Sequence, residues 1–189
     1  MSIAGLILAG GQATRFAGVD KAFVQLGEKP LIEHVLARLQ EQVAPLAISA
    51  NGDPARFAAY GLPVLADDPA FKDCGPLTGV LSGLRWAAMQ KIKFLLTTPV
   101  DTPFIPADLC AQLAPGPAVA VQDGRMQPLT ALWPVTFIAD LETFLRQPGK
   151  HKVSLAVASC GARPVEFTGP ATNFANINSP ADLRAFDVF

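Results

Sequence analysis

The sequence has no excess of charge of either sign and no long apolar run, and both absences exclude classes of protein. Fifteen basic residues against sixteen acidic ones give a formal charge of −1, so no general basic surface is available for nucleic acid or an anionic membrane. No apolar run approaches the roughly 18 residues of a membrane span. No Lys or Arg precedes the apolar stretch at the N-terminus, so a signal peptide is not indicated. We expect a cytoplasmic protein.

Cysteine is also scarce. The three cysteines, Cys74, Cys110 and Cys160, are odd in number and far apart, and none belongs to a C-x-x-C pair. This spacing disfavours both a disulfide framework and a structural zinc site. We expect buried or bystander thiols.

The apolar pattern predicts an α/β protein. With 189 residues, 50% of them apolar and 16% charged, the chain fits one domain spanning residues 1–189. Short apolar runs alternate with segments of helical periodicity, which is typical of βαβ units and a mostly parallel sheet. Strands are predicted at 3–8, 46–48, 64–65, 93–97, 118–122 and 129–133, and helices at 31–43, 54–60, 77–89, 106–113 and 135–145.

A glycine turn followed by two cations is the most informative local feature. Gly10 and Gly11 follow the first predicted strand, and Arg15 and Lys21 come next. Glycines let backbone N–H groups approach phosphate oxygens, and the cations neutralise their charge, so the segment suggests a triphosphate cradle. Neither a Walker loop nor G-x-G-x-x-G is present. Taken alone, Lys21 is better explained as an ordinary solvated loop lysine, and the glycines and Arg15 before it favour a phosphate contact.

Asp101 carries the second chemical signal. It follows the strand predicted at 93–97, in a turn flanked by Pro99 and Pro103. Magnesium takes one or two carboxylates together with substrate phosphates, so a single Asp at a strand end is enough to propose a Mg²⁺ site. The alternative is that Asp101 only caps the turn.

The run LAGGQATRFAGVDKAFVQLGEKPLIEHVLARL resembles nucleotidyltransferases of the L-A-G-G-x-x-x-R-M type, and most closely the molybdenum cofactor guanylyltransferase family. Phe16 stands where that family usually has Met, which keeps the position apolar. Matches in the same order extend over most of the chain: Ser49-Ala50-Asn51, Asp67-Asp68, Gly75-Pro76-Leu77-Thr78-Gly79, Pro99-Val100-Asp101-Thr102-Pro103-Phe104 and Asn176-Ile177-Asn178-Ser179-Pro180.

The resemblance implies a fold and a reaction. The fold would be a single-domain, Rossmann-like α/β fold of the nucleotide-diphospho-sugar transferase type, with a mostly parallel sheet and helices on both faces. The reaction would transfer GMP from GTP to the phosphate of molybdopterin, with Mg²⁺ as cofactor, release of pyrophosphate and no side-chain nucleophile. Other cofactor-biosynthesis proteins and molybdoenzyme chaperones are the implied protein partners, and we expect a monomer.

The resemblance also implies roles for individual residues. Arg15, Lys21 and Asp101 would be catalytic, and Asp101 would bind the metal. Acceptor contacts would come from Gly75, Asn176 and Asn178. Nucleotide contacts would come from Leu8, Ala9, Gly10, Gly11, Lys21, Ser49, Asn51, Asp67 and Asp101.

Several alternatives stay open from the residues alone. Asn51 precedes Gly52-Asp53-Pro54 and suits a helix cap, and Gly75 suits a structural turn. The basic run Lys150-His151-Lys152 is either an attraction for a phosphorylated pterin or a solvated surface. The same fold and phosphate loop would also serve a CTP-dependent cytidylyltransferase, or a noncatalytic module that carries nucleotide or cofactor.

Overall fold

The computed structural model describes residues 2–10, 19–71, 74–149 and 151–186. Two sheets are present in these ranges, and their strands are β1 Ile3–Leu8, β2 Gln25–Leu26, β3 Lys29–Pro30, β4 Leu46–Ser49, β5 Val64–Leu65, β6 Phe94–Pro99, β7 Ala118–Gln122, β8 Arg125–Pro134 and β9 Arg163–Glu166. The α-helices are α1 Leu31–Leu39, α2 Leu77–Met89, α3 Leu109–Leu113, α4 Ile138–Arg146, α5 Val153–Ser159 and α6 Pro180–Phe186. Short 3-10 helices occur at Lys21–Phe23, Pro54–Tyr60, Pro69–Phe71 and Val135–Phe137.

The main sheet has the strand order β5-β4-β1-β6-β8-β7-β9. The pairs β1/β4, β1/β6, β4/β5 and β7/β9 are parallel, whereas β8 runs antiparallel to both β6 and β7. Every strand of this sheet except β8 therefore points the same way. Their carboxyl ends meet at one edge, where open α/β sheets bind ligands. The predicted mostly parallel sheet is confirmed, and β2 and β3 form a separate small hairpin.

Helices cover both faces of the sheet. Ile7, Ile48 and Leu96 belong to the core that contains the buried side chains of α1 and α3. Their strand neighbours Leu6 and Leu95 belong to the other core, with α2, α4 and α5. Successive residues of a strand point to opposite faces, so most positions of these central strands are buried. The prediction of helices on both faces is confirmed.

Most predicted elements are present, with different ends in some cases. Helix α1 stops at Leu39 rather than Val43, because residues 40–42 turn with Gln42 N–H donating to the Leu39 carbonyl at 2.9 Å. Val43 stays buried beyond the helix end, which explains why its spacing looked helical. Helix α3 begins at Leu109 rather than Pro106, because Leu109 N–H closes a three-residue turn onto the Pro106 carbonyl. Strand β8 is longer than predicted, and α5, β9 and α6 were not predicted.

No helix within the described ranges combines the length and apolar character needed to cross a bilayer.

Two glycines let α2 lie directly on the sheet. A Cβ on Gly83 would lie 2.5 Å from Leu6 Cδ2 and 2.8 Å from Leu95 Cδ2, and a Cβ on Gly79 would collide with the Ser49 hydroxyl. Both glycines are buried on the same face of α2, four residues apart. Their small size sets the distance between the helix and the strands that end at the carboxyl edge.

The substitution Gly83→Ala tests this close packing. We expect the free energy of unfolding to fall by about 1–2 kcal/mol. The added methyl must displace two fully buried leucines, which costs up to about 3 kcal/mol, and this cost exceeds the roughly 1 kcal/mol that Ala gains over Gly in a helix. Urea unfolding followed by circular dichroism gives the value. Met89→Ala, at the exposed end of the same helix, is the control. A Gly83→Ala protein as stable as the parent would contradict the expectation.

Candidate active site

The end of β1 is held in the middle of the carboxyl edge. Ala9 N–H donates to the Ser49 carbonyl at 2.9 Å, and Val100 N–H donates to the Leu8 carbonyl at 3.0 Å. The hydrogen bonding of the sheet thus continues past β1 on both sides. Leu8 and Ala9 are buried, but Gly10 is exposed, and a Cβ at that position would meet nothing within 4 Å. The predicted phosphate turn therefore follows a fixed strand end, and its first residue, Gly10, is exposed to solvent. Gly11 and Arg15 lie outside the described residues.

Lys21, Asp101 and Asn178 meet at this edge. Lys21 Nζ lies 2.6 Å from Asp101 Oδ2 and also donates to Asn178 Oδ1. The 3-10 helix that begins at Lys21 is capped by Asp20, whose Oδ1 accepts from Ala22 N–H at 3.0 Å. The structure thus brings together a predicted catalytic lysine, a predicted metal ligand and a predicted acceptor contact that are widely separated in sequence.

A C-terminal turn fixes Asn178. Ile177 is fully buried, and its N–H donates to the Asp101 carbonyl at 2.8 Å. Asp182 Oδ2 accepts from Asn178 N–H at 2.8 Å and from Ser179 Oγ at 2.9 Å. The first of these hydrogen bonds is the main reason that the pKa of Asp182 lies below its ordinary value. Asn176 is exposed and does not share the described side-chain contacts of Lys21 and Asp101.

Asp182 was not predicted from the sequence, although a signal for it exists. Ser179 and Asp182 have the [ST]-x-x-[DE] spacing of a capping box, and Asp182 N–H donates back to Ser179 Oγ at 3.3 Å. The carboxylate reaches one residue beyond the usual partner, to Asn178. The cap of α6 therefore also orients the asparagine at the site.

Asn51 and Asp67 form a reciprocal pair at the end of β4. Asn51 Nδ2 donates to Asp67 Oδ2 at 2.7 Å, and Asp67 N–H donates to Asn51 Oδ1 at 2.9 Å. Asn51 is exposed and Asp67 is half-buried, and Asp67 Oδ1 takes part in neither bond. The helix-cap alternative for Asn51 is wrong, because Asp53 caps the 3-10 helix by accepting from Ala55 N–H at 2.9 Å.

Arg56 links the Asn51–Asp67 pair to the segment around Lys21, and the sequence did not predict this role. Its Nη2 donates to the Asn51 carbonyl at 2.7 Å, and its Nε lies 3.3 Å from Asp20 Oδ2. Its guanidinium also lies 4.9 Å from the ring centre of Phe57. Arg56 therefore connects the Asn51 pair to the segment that carries Lys21. An arginine in the middle of a short helix shows no pattern that would have marked this role.

The remaining predicted residues are distributed differently. Ser49 is buried against the first turn of α2, so its side chain packs under Gly79 rather than facing the open edge. Gly75 has a φ of 73° and lies at the start of α2, where Thr78 Oγ1 donates to its carbonyl at 2.7 Å. Helix α2 covers one face of the sheet and Ile177 belongs to the core on the other. The predicted acceptor residues Gly75 and Asn178 thus approach the edge from opposite faces.

The oxygen groups at the edge fit a magnesium ion. Asp101 supplies one carboxylate and Asn178 an amide oxygen, both hard ligands of the type that Mg²⁺ takes beside substrate phosphates. Among the residues that the structure describes, no three His, Cys, Asp or Glu side chains converge as a metal site. These groups therefore suit a metal that arrives with a phosphate ligand rather than one held by protein alone.

Of the predicted basic run, the structure describes His151 and Lys152. Lys150 lies outside the described residues. His151 is partly buried, with Nε2 2.9 Å from the Gln147 carbonyl and its ring 5.7 Å from that of Phe144 in an edge-on arrangement. These contacts anchor His151 to the end of α4.

Comparison with known proteins identifies the family. Residues 5–160 match the model of the MobA-like NTP transferase domain. Proteins named molybdenum cofactor guanylyltransferase from Acidiphilium cryptum and Rhodobacter capsulatus are 49% and 46% identical to the chain. The alignments cover 95% and 99% of this chain and 91% and 96% of the two relatives, respectively. The chain belongs to the MobA-like NTP transferase family.

Solved structures agree with the fold of a MobA-like NTP transferase. Molybdopterin-guanine dinucleotide biosynthesis protein A from Archaeoglobus fulgidus superimposes with a TM-score of 0.77 at 21% identity, over 98% of this chain and 97% of that one. A 4-diphosphocytidyl-2C-methyl-D-erythritol synthase gives 0.71 at 16% identity, over 99% and 97%. The nucleotide-diphospho-sugar transferase type of fold expected from the resemblance is confirmed.

Alkylation of the cysteines tests the expectation that the thiols of this MobA-like chain are buried. Burial raises the pKa of Cys160 to about 11 and raises the pKa of Cys110 as well. With only roughly 0.1% of Cys160 as thiolate at pH 8, iodoacetamide should leave both thiols unmodified in the folded protein and alkylate them after unfolding in guanidinium. Peptide mass spectrometry reads the sites. Rapid stoichiometric labelling of Cys160 in the folded protein would contradict the expectation.

Proposed function

We propose that this chain is a molybdenum cofactor guanylyltransferase, a single nucleotidyltransferase domain that moves GMP from GTP to the phosphate of molybdopterin. The product would be the guanine dinucleotide form of the cofactor, together with pyrophosphate. The observation that carries the proposal is the meeting of Lys21, Asp101 and Asn178 at the carboxyl edge of the sheet, in a chain nearly half identical to proteins of that name.

The chemistry requires positioning more than activation. An oxygen of the acceptor phosphate attacks the α-phosphorus of GTP, a new P–O bond forms, and the bond between the α-phosphorus and the bridging oxygen breaks to release pyrophosphate. Because the attacking oxygen is already anionic, no protein base or covalent intermediate is needed. Holding the two phosphates in line and neutralising their charge would supply most of the rate.

Lys21 and Asp101 have complementary tasks in this proposal. The Lys21 ammonium would turn from the Asp101 carboxylate to the more highly charged triphosphate, joined by Arg15 from the same loop. Asp101, with the Asn178 amide oxygen nearby, would hold Mg²⁺, which when bound neutralises phosphate charge and orients the triphosphate. Asn178 and the exposed Asn176 would lie on the acceptor side, with Gly75 approaching from the other face.

Asp67 supports guanine as the base. A carboxylate accepts two N–H bonds at once, and guanine offers such a pair from its N1–H and its 2-amino group. The Asn51 side chain binds both Oδ2 and the backbone N–H of Asp67, and so fixes the Asp67 carboxylate. Asp67 Oδ1 takes part in neither of these two hydrogen bonds. Cytosine presents only one donor group, its 4-amino group, on that edge. The backbone of residues 8–10 and the Ser49 region would complete the nucleotide contacts.

The test is pyrophosphate release by the purified protein with Mg²⁺ and molybdopterin, comparing GTP with CTP, ATP and UTP. The proposal expects release with GTP and a guanylylated pterin by mass spectrometry. Preference for CTP would assign a cytidylyltransferase instead, and nucleotide binding without release would assign a carrier. We also propose that the protein is a monomer, which a sizing column tests on the same preparation. It would act in the cytoplasm, where GTP is available.

The variants Lys21→Ala and Asp101→Asn should each lower kcat about 100-fold or more, because each removes charge stabilisation at the reacting phosphates. The initial rate at saturating Mg²⁺ and GTP measures this effect. Lys93→Ala is a matched control, since Lys93 is exposed and precedes β6, at the opposite end of the strand that leads to Asp101. Full activity of Lys21→Ala would overturn the assigned role of Lys21.

A further inference from the structure

Residues 66–71, which follow β5, form a segment that is held from outside the site. It carries Asp67, and the residues on either side of Asp67 are bound by α2. Ser82 Oγ donates to the Ala66 carbonyl at 2.9 Å, and Arg85 Nη1 donates to Asp68 Oδ2 at 2.6 Å. Two polar groups of one helix therefore hold the backbone carbonyl of the residue before Asp67 and the side chain of the residue after it.

Arg85 makes this attachment on two sides. Its Nη2 donates to Glu142 Oε1 of α4 at 2.8 Å, so one guanidinium joins Asp68 to Glu142. We call Arg85, Asp68 and Glu142 the Arg85 clasp. A planar guanidinium fork can serve two carboxylates in fixed directions, which a single ammonium cannot do.

An aromatic ring lies beneath the clasp. Phe71 is buried, and the guanidinium carbons of Arg85 and Arg146 lie 5.9 and 5.1 Å from its ring centre. Asp68 Oδ1 also accepts from Ala70 N–H at 2.9 Å. This hydrogen bond lies at the start of the 3-10 helix that carries Phe71. The hydrogen bond from Arg85 is the main cause of the lowered pKa of Asp68, so this carboxylate is ionised at neutral pH. The segment is thus fixed by packing and by charge.

The two aspartates have different neighbours. Asp68 is bound by Arg85 of α2, which also binds Glu142 of α4, while Asp67 binds Asn51 just beyond β4. The position of the Asp67 carboxylate relative to Asn51 therefore depends on where the Arg85 clasp holds the next residue. Arg85 is more than a third exposed, and exposed ion pairs add little to stability, so its effect on geometry should exceed its effect on folding.

We propose that Arg85 is a positioning residue for base selection: it orients Asp67 for guanine without touching the nucleotide. This inference rests on the proposed function, because it assigns the Asp67 carboxylate to the guanine edge. Loss of Arg85 should weaken GTP binding and guanine selectivity while the reacting phosphates, held by Lys21 and Asp101, remain in place. The KM for GTP should therefore rise, whereas kcat should stay nearly the same.

The test compares Arg85→Ala with the parent enzyme, using GTP and inosine triphosphate, which lacks the 2-amino group. We expect the KM for GTP to rise about tenfold with kcat within about twofold, and the preference for GTP over inosine triphosphate to narrow. Arg85→Lys should be intermediate, because its ammonium can keep only one of the two carboxylates. Calorimetric titration with GTP gives the same comparison without turnover.

A double-mutant cycle separates positioning from general destabilisation. If Arg85 acts through Asp67, Arg85→Ala should have little further effect on the KM of an Asp67→Asn protein. The matched control is Arg163→Ala. Arg163 belongs to β9, the last strand on the side of the sheet away from β5, and its side chain donates to the carbonyls of residues 112–114. Losing these hydrogen bonds should leave the KM for GTP unchanged.

Three results would overturn the inference: an unchanged KM in Arg85→Ala, a fall in kcat alone, or full additivity with Asp67→Asn. These results differ from a failure of the proposed function. In that case the parent enzyme itself would release no pyrophosphate with GTP, whereas here the parent remains active and only the role of Arg85 is lost.

Discussion

The site depends first on the hydrogen bonding of β1 between β4 and β6. Because β1 is paired on both sides to its last residue and beyond, the glycine turn begins from a rigid point. The same pairing places the residues after β4 on one side of that turn and Asp101 on the other. Parallel strands thus bring three loops to one edge, although the loops are far apart in the chain.

The second constraint is the C-terminal segment that crosses this edge. Ile177 anchors it in the core and by its hydrogen bond to the Asp101 backbone, so Asn178 reaches Lys21. The family model matches residues 5–160, so this asparagine lies beyond the matched part. The charge arrangement of the site therefore combines the β1 and β6 loops of the matched domain with a contribution from the last turn before α6.

Much of this architecture could be predicted from the sequence because burial imposes a pattern on it. The predicted bounds of β1, α2 and β7 match the structure, since each is an apolar segment with clear punctuation. A strand was predicted at 129–133, but neither its antiparallel direction nor its start at Arg125 was anticipated. The Asp123-Gly124 pair, both with positive φ, is a signal for its tight hairpin with β7. Strand β9 is short and largely exposed, and so lacks an apolar pattern.

The site was predictable where a motif carries the chemistry and not where a side chain acts through a distant partner. Lys21 was predicted from the glycine turn, Asp101 from the strand end together with the phosphate loop and the resemblance, and Asn178 from the resemblance. Arg56 and Arg85 belong to no motif; their importance comes only from the carboxylates and carbonyls that the fold places beside them. Contacts of this kind can be found only in the three-dimensional structure.

The most direct measurement of the central claim follows labelled phosphorus. The protein is incubated with Mg²⁺, molybdopterin and GTP carrying ³²P at either the α- or the γ-position, and the pterin product is separated from pyrophosphate. Nucleotidyl transfer predicts that the α-label appears in the pterin product and the γ-label in pyrophosphate. Appearance of the γ-label on the pterin, or of no label there at all, would contradict it.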